Sequence, residues 1–193
     1  KFKLILSKDI KKKDFALAVS GGSDSLCLAY FSKIYSLEFG NKIHVLIVDH
    51  NLRKESHKEA LQVKRLLYRH GINLEILRNK KQITNNIQRK ARDIRYQLLE
   101  GFCKKKKAKS LLVAHHQDDQ VETFLIRLAR GSGVEGLSSM QEMINFKSGI
   151  SLIRPLLEFK KSQLISIAKK TFGKIFKDPS NKNKKFLRTN IRT

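Results

Sequence analysis

Asp14-Phe-Ala-Leu-Ala-Val-Ser-Gly-Gly-Ser-Asp-Ser25 is the stretch on which the fold turns. Its first half is an apolar run ending at Ser20-Gly21-Gly22. Such a run reads as a buried strand, because strands covered on both faces lose the alternation of polar and apolar residues. From Ser23 to Leu37 the residues Leu26, Leu28, Ala29, Phe31 and Ile34 form a broad apolar helical face. A strand that passes through two glycines directly into a helix is the opening unit of a parallel sheet.

Outward from this unit the same rhythm repeats. Lys42–Asp49 is a second buried strand, and Glu55–His70 is a helix with Ala60, Val63, Leu66 and Leu67 three and four apart and Gly71 as its stop. Asn73–Leu77 is a third strand, Asn85–Cys103 a longer helix and Ser110–Ala114 a fourth strand. Gln117–Ala129 is a helix with Val121, Leu125 and Leu128 on one face. After Gly131 the rhythm changes to two short strand-like pieces near Met143–Phe146 and Ile150–Ile153, then Arg154-Pro155, a helix over Lys160–Phe172 and a loop at Asp178–Asn181. The predicted class is α/β, a Rossmann-like parallel sheet with helices on both faces.

Composition narrows the partners. The 193 residues include 41 Lys or Arg and 17 Asp or Glu, a formal net charge of +24. With 40% hydrophobic residues the chain can build a core, so a disordered basic tail does not describe it. The most apolar window, Phe15–Ser32, is broken by Gly21, Gly22 and Asp24, and Leu4-Ile5-Leu6 is too short for a signal-peptide core, so neither a membrane span nor a leader is expected. Two cysteines, Cys27 and Cys103, build no disulfide framework and suit a reducing cytoplasm. Residues 159–193 hold eleven Lys or Arg against Asp178, and Lys104–Lys107 with Lys109 form a second basic cluster. Such clustering favours a nucleic-acid partner over evenly solvated lysines. Both clusters are therefore expected to meet a nucleic-acid backbone.

The glycine turn carries the chemistry. Ligands of open parallel sheets bind beyond the carboxyl ends of the strands, where Ser20–Ser25 falls. Gly21 and Gly22 allow backbone N–H groups to approach an anion, and the following helix adds the partial positive charge of its N-terminus. No Gly-Lys-Ser/Thr follows, so this is not a Walker A loop, and it is not a GxGxxG fingerprint. Taken alone, a helix entry with Ser23 as N-cap and glycines for a tight turn is the better explanation of this segment.

Ser20-Gly-Gly-Ser-Asp-Ser25 matches the SGGxDS signature of the PP-loop ATP pyrophosphatases, which cleave ATP between its α and β phosphates. Further segments extend the likeness: Val48-Asp-His-Asn-Leu-Arg53, Ala91-Arg92 with Arg95-Tyr96, Ala114-His-His-Gln-Asp-Asp-Gln-Val-Glu-Thr123, Arg130-Gly-Ser-Gly133 with Gly136-Leu137, Arg154-Pro-Leu-Leu157, Asp178-Pro-Ser-Asn181, and Arg188 with Ile191-Arg192. In order and spacing, residues 14–192 resemble the N-terminal catalytic domain of the tRNA(Ile)-lysidine synthase family. One departure is Arg188-Thr189 where the family has Arg-Asn.

The resemblance implies a reaction and a site. ATP would adenylate the C2 oxygen of the wobble cytidine in a tRNA(Ile) with a CAU anticodon, and free L-lysine would displace AMP. Ser20, Gly21, Gly22, Ser23, Asp24 and Ser25 would hold the nucleotide, and Asp24 and Asp119 would hold Mg²⁺, a hard ion suited to carboxylates beside phosphates. Arg92 and Arg130 would neutralise phosphoryl charge, and His115 or His116 would position substrate or move the lysine proton. Asp118 reads equally as the N-cap of its helix, Glu122 as a surface pair, and Arg95 and Tyr96 as packing and solvent contacts. The implied organisation is a PP-loop core over 1–140 and a basic extension over 141–193 leading to further domains, with a homodimer left open. A PP-loop tRNA thiolase is the nearest rival, and there Cys103 beside its lysines would be the activated thiol. A non-catalytic basic RNA-binding module is the other. The paired histidines lack the further ligands of common zinc patterns.

Overall fold

Why the strands are apolar throughout is visible in how the sheet is covered. The computed structural model describes residues 1–10, 13–53, 55–80, 83–133 and 138–176. Its elements run α1 (Phe2–Asp9), β1 (Phe15–Ala18), α2 (Ser23–Phe39), β2 (Ile43–Asp49), α3 (Ser56–Arg69), β3 (Leu74–Arg78), α4 (Ile87–Lys106), β4 (Ser110–Leu112), α5 (Gln117–Ala129), β5 (Met143–Asn145), β6 (Ser151–Ile153) and α6 (Lys161–Phe172). The six strands form one sheet in the order β3-β2-β1-β4-β6-β5. All neighbours are parallel except the edge pair β5–β6. The two short strands after residue 140 thus belong to the same sheet as the expected core. Asp178–Asn181, Arg188-Thr189, Ile191-Arg192, Gly136-Leu137 and the end of the basic tail lie outside the described residues.

Successive strand residues point to opposite faces. Phe15, Leu17 and Val19 of the first strand region, Val45 and Ile47 of β2, Leu112 of β4 and Ile153 of β6 pack with α1, α2, α3 and α6 in one core. Ala16, Ala18, Leu46, Leu111 and Leu152 face the other way and pack with Leu99 and Cys103 of α4. Because both faces are covered, every β1 residue is buried, and no polar alternation survives in the sequence.

Two helices depart from the sequence reading. α1 was expected only as an apolar triplet, yet it buries Phe2 and Leu6, with Ile10 following, at intervals of four. In α5 the face carrying Val121, Phe124, Leu125 and Leu128 is exposed, and its buried residue is Glu122, expected at the surface. Burial here follows the position of α5 at the carboxyl edge of the sheet, where its first turn, and not its apolar side, is tied to the rest of the molecule.

Among the described residues no helix is long and apolar enough to cross a membrane. Lys104–Lys107 close α4 and Lys109 precedes β4, all exposed. Since α4 crosses back between two parallel strands, these lysines lie at the amino edge of the sheet, opposite the phosphate loop.

Candidate active site

The strand order places the site before any side chain is considered. From β1 the chain moves outward to β2 and β3, then crosses to β4 on the other side of β1. The crevice of such a sheet opens at this reversal, beyond the carboxyl ends of β1 and β4. Residues 20–25 leave β1 there, and residues 114–119 leave β4.

The loop is held by its own last serine. Ser25 Oγ accepts hydrogen bonds from the backbone N–H of Ser20 (3.0 Å) and Gly21 (3.1 Å) and donates to the Gly22 carbonyl (3.0 Å). Those two amides therefore shape the turn, and anion binding falls to the first-turn N–H groups of α2, which lack intrahelical partners. The N-cap of α2 is Gly22, not Ser23. Gly21 has φ +87°, and a Cβ there would lie 2.6 Å from Val63 Cγ2 and within 3.3 Å of Phe176. Only glycine fits that position.

Two cavities flank the loop. A cavity of about 870 Å³ opens on the β2 side, with Ser20, Ile47, Asp49, His50, Val63 and Phe176 among its walls. Its size and mixed lining suit a nucleoside. Asp49, its side chain fully buried, accepts from the Asn51 N–H (2.9 Å) and meets His57 Nδ1 at 3.2 Å and Arg78 Nε at 3.7 Å, which fixes the loop after β2. The Asn79 side chain donates to the His50 carbonyl (3.2 Å), so His50 contributes a backbone tie here. A second cavity of about 150 Å³ lies on the β4 side, lined by Ala18, Ser20, Asp24, Ser25, Arg95, Val113, Ala114 and His115.

Asp24 and His115, far apart in sequence, thus line one cavity, and Asp119 stands close by across the His116 ring. Asp24 Oδ2 is 3.6 Å and Asp119 Oδ2 3.5 Å from Nε2 of the buried His116, distances of electrostatic contact and not of hydrogen bonding. Asp119 also accepts from the His116 N–H (3.1 Å) and so caps α5. The N-cap is His116. Asp118, weighed for that role, instead accepts from the backbone N–H of Lys161 (3.3 Å). Gln117 N–H donates to the Phe159 carbonyl (3.0 Å), a further tie between the starts of α5 and α6. The ammonium of Lys161 forms an ion pair with Asp24, a contact that sequence reasoning missed because 137 positions separate the two residues.

These groups fit Mg²⁺. The carboxylates of Asp24 and Asp119 both approach the His116 ring, and Asp24 already holds a cationic ammonium. Mg²⁺ commonly takes one or two carboxylates together with substrate phosphates. Among the described residues no group of three His, Cys, Asp or Glu could hold a metal ion by itself.

The arginines divide. Arg95 lines both cavities, and burial, with Arg92 nearby, lowers its pKa from the usual value, though a guanidinium stays charged at neutral pH. Arg92 is exposed and stacks on Tyr96, its guanidinium carbon 5.1 Å from the ring centroid. Arg130 is the C-cap of α5, at the far end of a 13-residue helix, roughly 20 Å from the crevice at 1.5 Å per residue. Neither lines the cavities beside the loop.

Both cysteines are buried. Desolvation, with the Asp24 charge second, pushes Cys27 up to about 12, and its Sγ donates to the Leu164 carbonyl (3.0 Å). Desolvation pushes Cys103 up to about 11, so its neighbouring lysines do not activate it as expected. At neutral pH each is a thiolate in fewer than about one molecule in a thousand. In the folded chain neither should be alkylated by iodoacetamide near neutral pH, whereas both should label in guanidinium. Rapid labelling of the native protein would return a thiol to the site.

A tRNA(Ile)-lysidine synthase of Wolbachia pipientis wMel is 45% identical over 179 residues, covering 90% of this chain and 41% of that protein. One from Orientia tsutsugamushi is 41% identical over 178 residues, covering 92% and 40%. The chain thus spans about two fifths of the length of these relatives. Among solved structures, the U34-tRNA thiolase NcsA from Methanococcus maripaludis with its [4Fe-4S] cluster superposes with a TM-score of 0.76 at 18% identity, over 98% of this chain and 69% of that one. An NH₃-dependent NAD synthetase from Campylobacter jejuni gives 0.50 at 14%, over 88% and 68%. At those identities the likeness is one of fold. The model of the PP-loop domain matches residues 1–193, and with a phosphate loop at the switch point of a parallel sheet, the chain belongs to the PP-loop domain family.

Proposed function

We propose that this chain is the catalytic part of a tRNA(Ile)-lysidine synthase, an ATP-dependent ligase that joins L-lysine to C2 of the wobble cytidine of tRNA(Ile) with a CAU anticodon. The observation that carries the reading is the meeting of the Ser20–Ser25 loop with His115–Asp119 across the β1/β4 crevice. The relatives at 41–45% identity support it.

In this reading the large cavity takes the adenosine and the first turn of α2 takes the phosphates. The α-phosphate then faces the small cavity. Asp24 and Asp119 would hold Mg²⁺, whose charge would stabilise the departing pyrophosphate. Arg95 stands where charge develops during adenylation. The cytidine oxygen attacks the α-phosphorus, pyrophosphate leaves, and the neutral ε-amine of lysine then displaces AMP from C2. His115 accepts the proton that the amine must lose. Arg92 and Arg130, outside the cavities, are assigned to the RNA backbone. The Lys104–Lys109 cluster, at the opposite edge of the sheet, meets a tRNA only with a part remote from the wobble base. A CAU-anticodon transcript incubated with labelled lysine and ATP is the test.

The thiolase reading draws on the superposition with NcsA, but its chemistry calls for accessible sulfur ligands or nucleophiles. Cys27 and Cys103 are the only cysteines in the sequence, and both are buried.

A further inference from the structure

The phosphate loop has no lysine of its own, but the fold supplies one. Lys161 is the first residue of α6, and its ammonium pairs with Asp24, the second residue of α2 behind the loop. We propose that Lys161 is a nucleotide-binding residue of this site. Its ammonium, paired with Asp24, would contact the β and γ phosphates, the pyrophosphate to be released, when ATP is bound. The inference rests on the reading above that ATP occupies this loop.

Three observations carry it. First, the position is costly for the helix: cations are unfavourable in a first turn, and α6 has no acid there to offset Lys160 and Lys161. A lysine retained at such a place needs a partner off its own helix, and that partner is Asp24. Second, the backbone there is fixed while the side chain can move. The Lys161 N–H is tied to Asp118, and the Lys160 N–H bonds Gln163 Oε1 at 3.1 Å, yet the Lys161 side chain is 36% exposed, against 18% for Asp24. A four-carbon stem anchored at its base can carry a point charge a few ångströms without moving the helix. Third, the carboxylates outnumber that ammonium. Asp24 and Asp119 both face His116, and a triphosphate adds more negative charge beside them. A mobile cation between acid and phosphate balances that charge both before and after the nucleotide arrives.

The test uses the 193-residue chain and calorimetric titration with Mg·ATP, inorganic pyrophosphate with Mg²⁺, and AMP. Lys161→Met should weaken Mg·ATP and pyrophosphate by roughly tenfold to a hundredfold, the range of one charge-assisted hydrogen bond. AMP binding should stay within about twofold, because AMP carries neither outer phosphate. Lys161→Arg, which keeps charge and reach, should recover most of the loss. Equal weakening of AMP and ATP, or failure of arginine to rescue, would make Lys161 a structural residue and overturn the proposal. So would Lys161→Met binding Mg·ATP as tightly as the parent chain. If the parent chain itself binds no Mg·ATP, the ATP-loop reading falls, and that outcome is distinct from the others.

Discussion

Replacing Asp24 by alanine should lower tRNA-dependent pyrophosphate release by about a thousandfold, or ~4 kcal/mol of transition-state stabilisation. The side chain lines the small cavity, accepts from Ser23 Oγ (3.1 Å), pairs with Lys161 and lies 3.6 Å from His116 Nε2. It is the one carboxylate within Ser20–Ser25, and its removal takes away the charge that would hold a metal ion against the departing phosphates. Asp24→Asn separates charge from shape. It keeps the size and some hydrogen bonds, so the fold should survive, yet the rate should fall nearly as far. Binding of tRNA, which is assigned to basic residues outside the cavities, should change by less than about threefold for both variants. Filter binding and a pyrophosphate-release assay read the two quantities separately. A variant retaining more than about a tenth of the parent rate would take Asp24 out of the mechanism.

Gly21→Ala should be strongly destabilising. The residue sits at φ +87°, which costs an L-residue ~1 kcal/mol or more. The new Cβ would also lie 2.6 Å from Val63 Cγ2. Val63 is β-branched and within α3, so it has one favoured rotamer and cannot turn aside. Strain and overpacking together predict a loss of about 2–4 kcal/mol in unfolding free energy. The Gly21 carbonyl accepts from the Phe176 N–H (3.0 Å), so a shifted loop also disturbs the wall of the large cavity, and ATP binding should weaken with it. Gly22→Ala is the contrast. Its φ is −71°, and the nearest atom to an added Cβ is Ser20 Oγ at 3.7 Å, so the fold should tolerate it. Denaturant melts of the two variants measure the difference; equal stability would show that the turn can relax in a way its geometry does not allow.

The alternation of strands and helices was legible because both faces of the sheet are covered, which turns each strand into an apolar run bounded by turns. Gln117–Ala129 and the neighbouring elements were readable to within a few residues for that reason. α1 escaped because Leu4-Ile5-Leu6 draws the eye, whereas the buried residues are Phe2, Leu6 and Ile10; Leu4 is 74% exposed. Reading at intervals of four would have found it. α5 misled in the opposite sense, since periodicity identifies a helix but cannot say whether its apolar side meets the core. Glu122 is buried there while Val121 and Leu128 are not.

The site shows the same division. Ser20–Ser25 and His115–Asp119 announce themselves as local patterns, and topology brings them together. Arg95 was readable only as one of several arginines on α4, because its place between two cavities depends on where α4 starts relative to β1 and β4. Lys161 is the hardest case. Nothing in Phe159-Lys-Lys-Ser162 distinguishes it from a solvated lysine, and only the return of α6 beside α2 sets it on Asp24.

The most direct measurement of the central claim is transfer of labelled L-lysine to a tRNA(Ile) transcript with a CAU anticodon, in the presence of ATP and Mg²⁺, with the nucleotide products followed in parallel. The chain is expected to incorporate one lysine per tRNA and to release AMP and pyrophosphate in equal amounts, with no transfer to a transcript lacking cytidine at the wobble position. Release of ADP and phosphate, or sulfur entering the tRNA where lysine does not, would contradict the account.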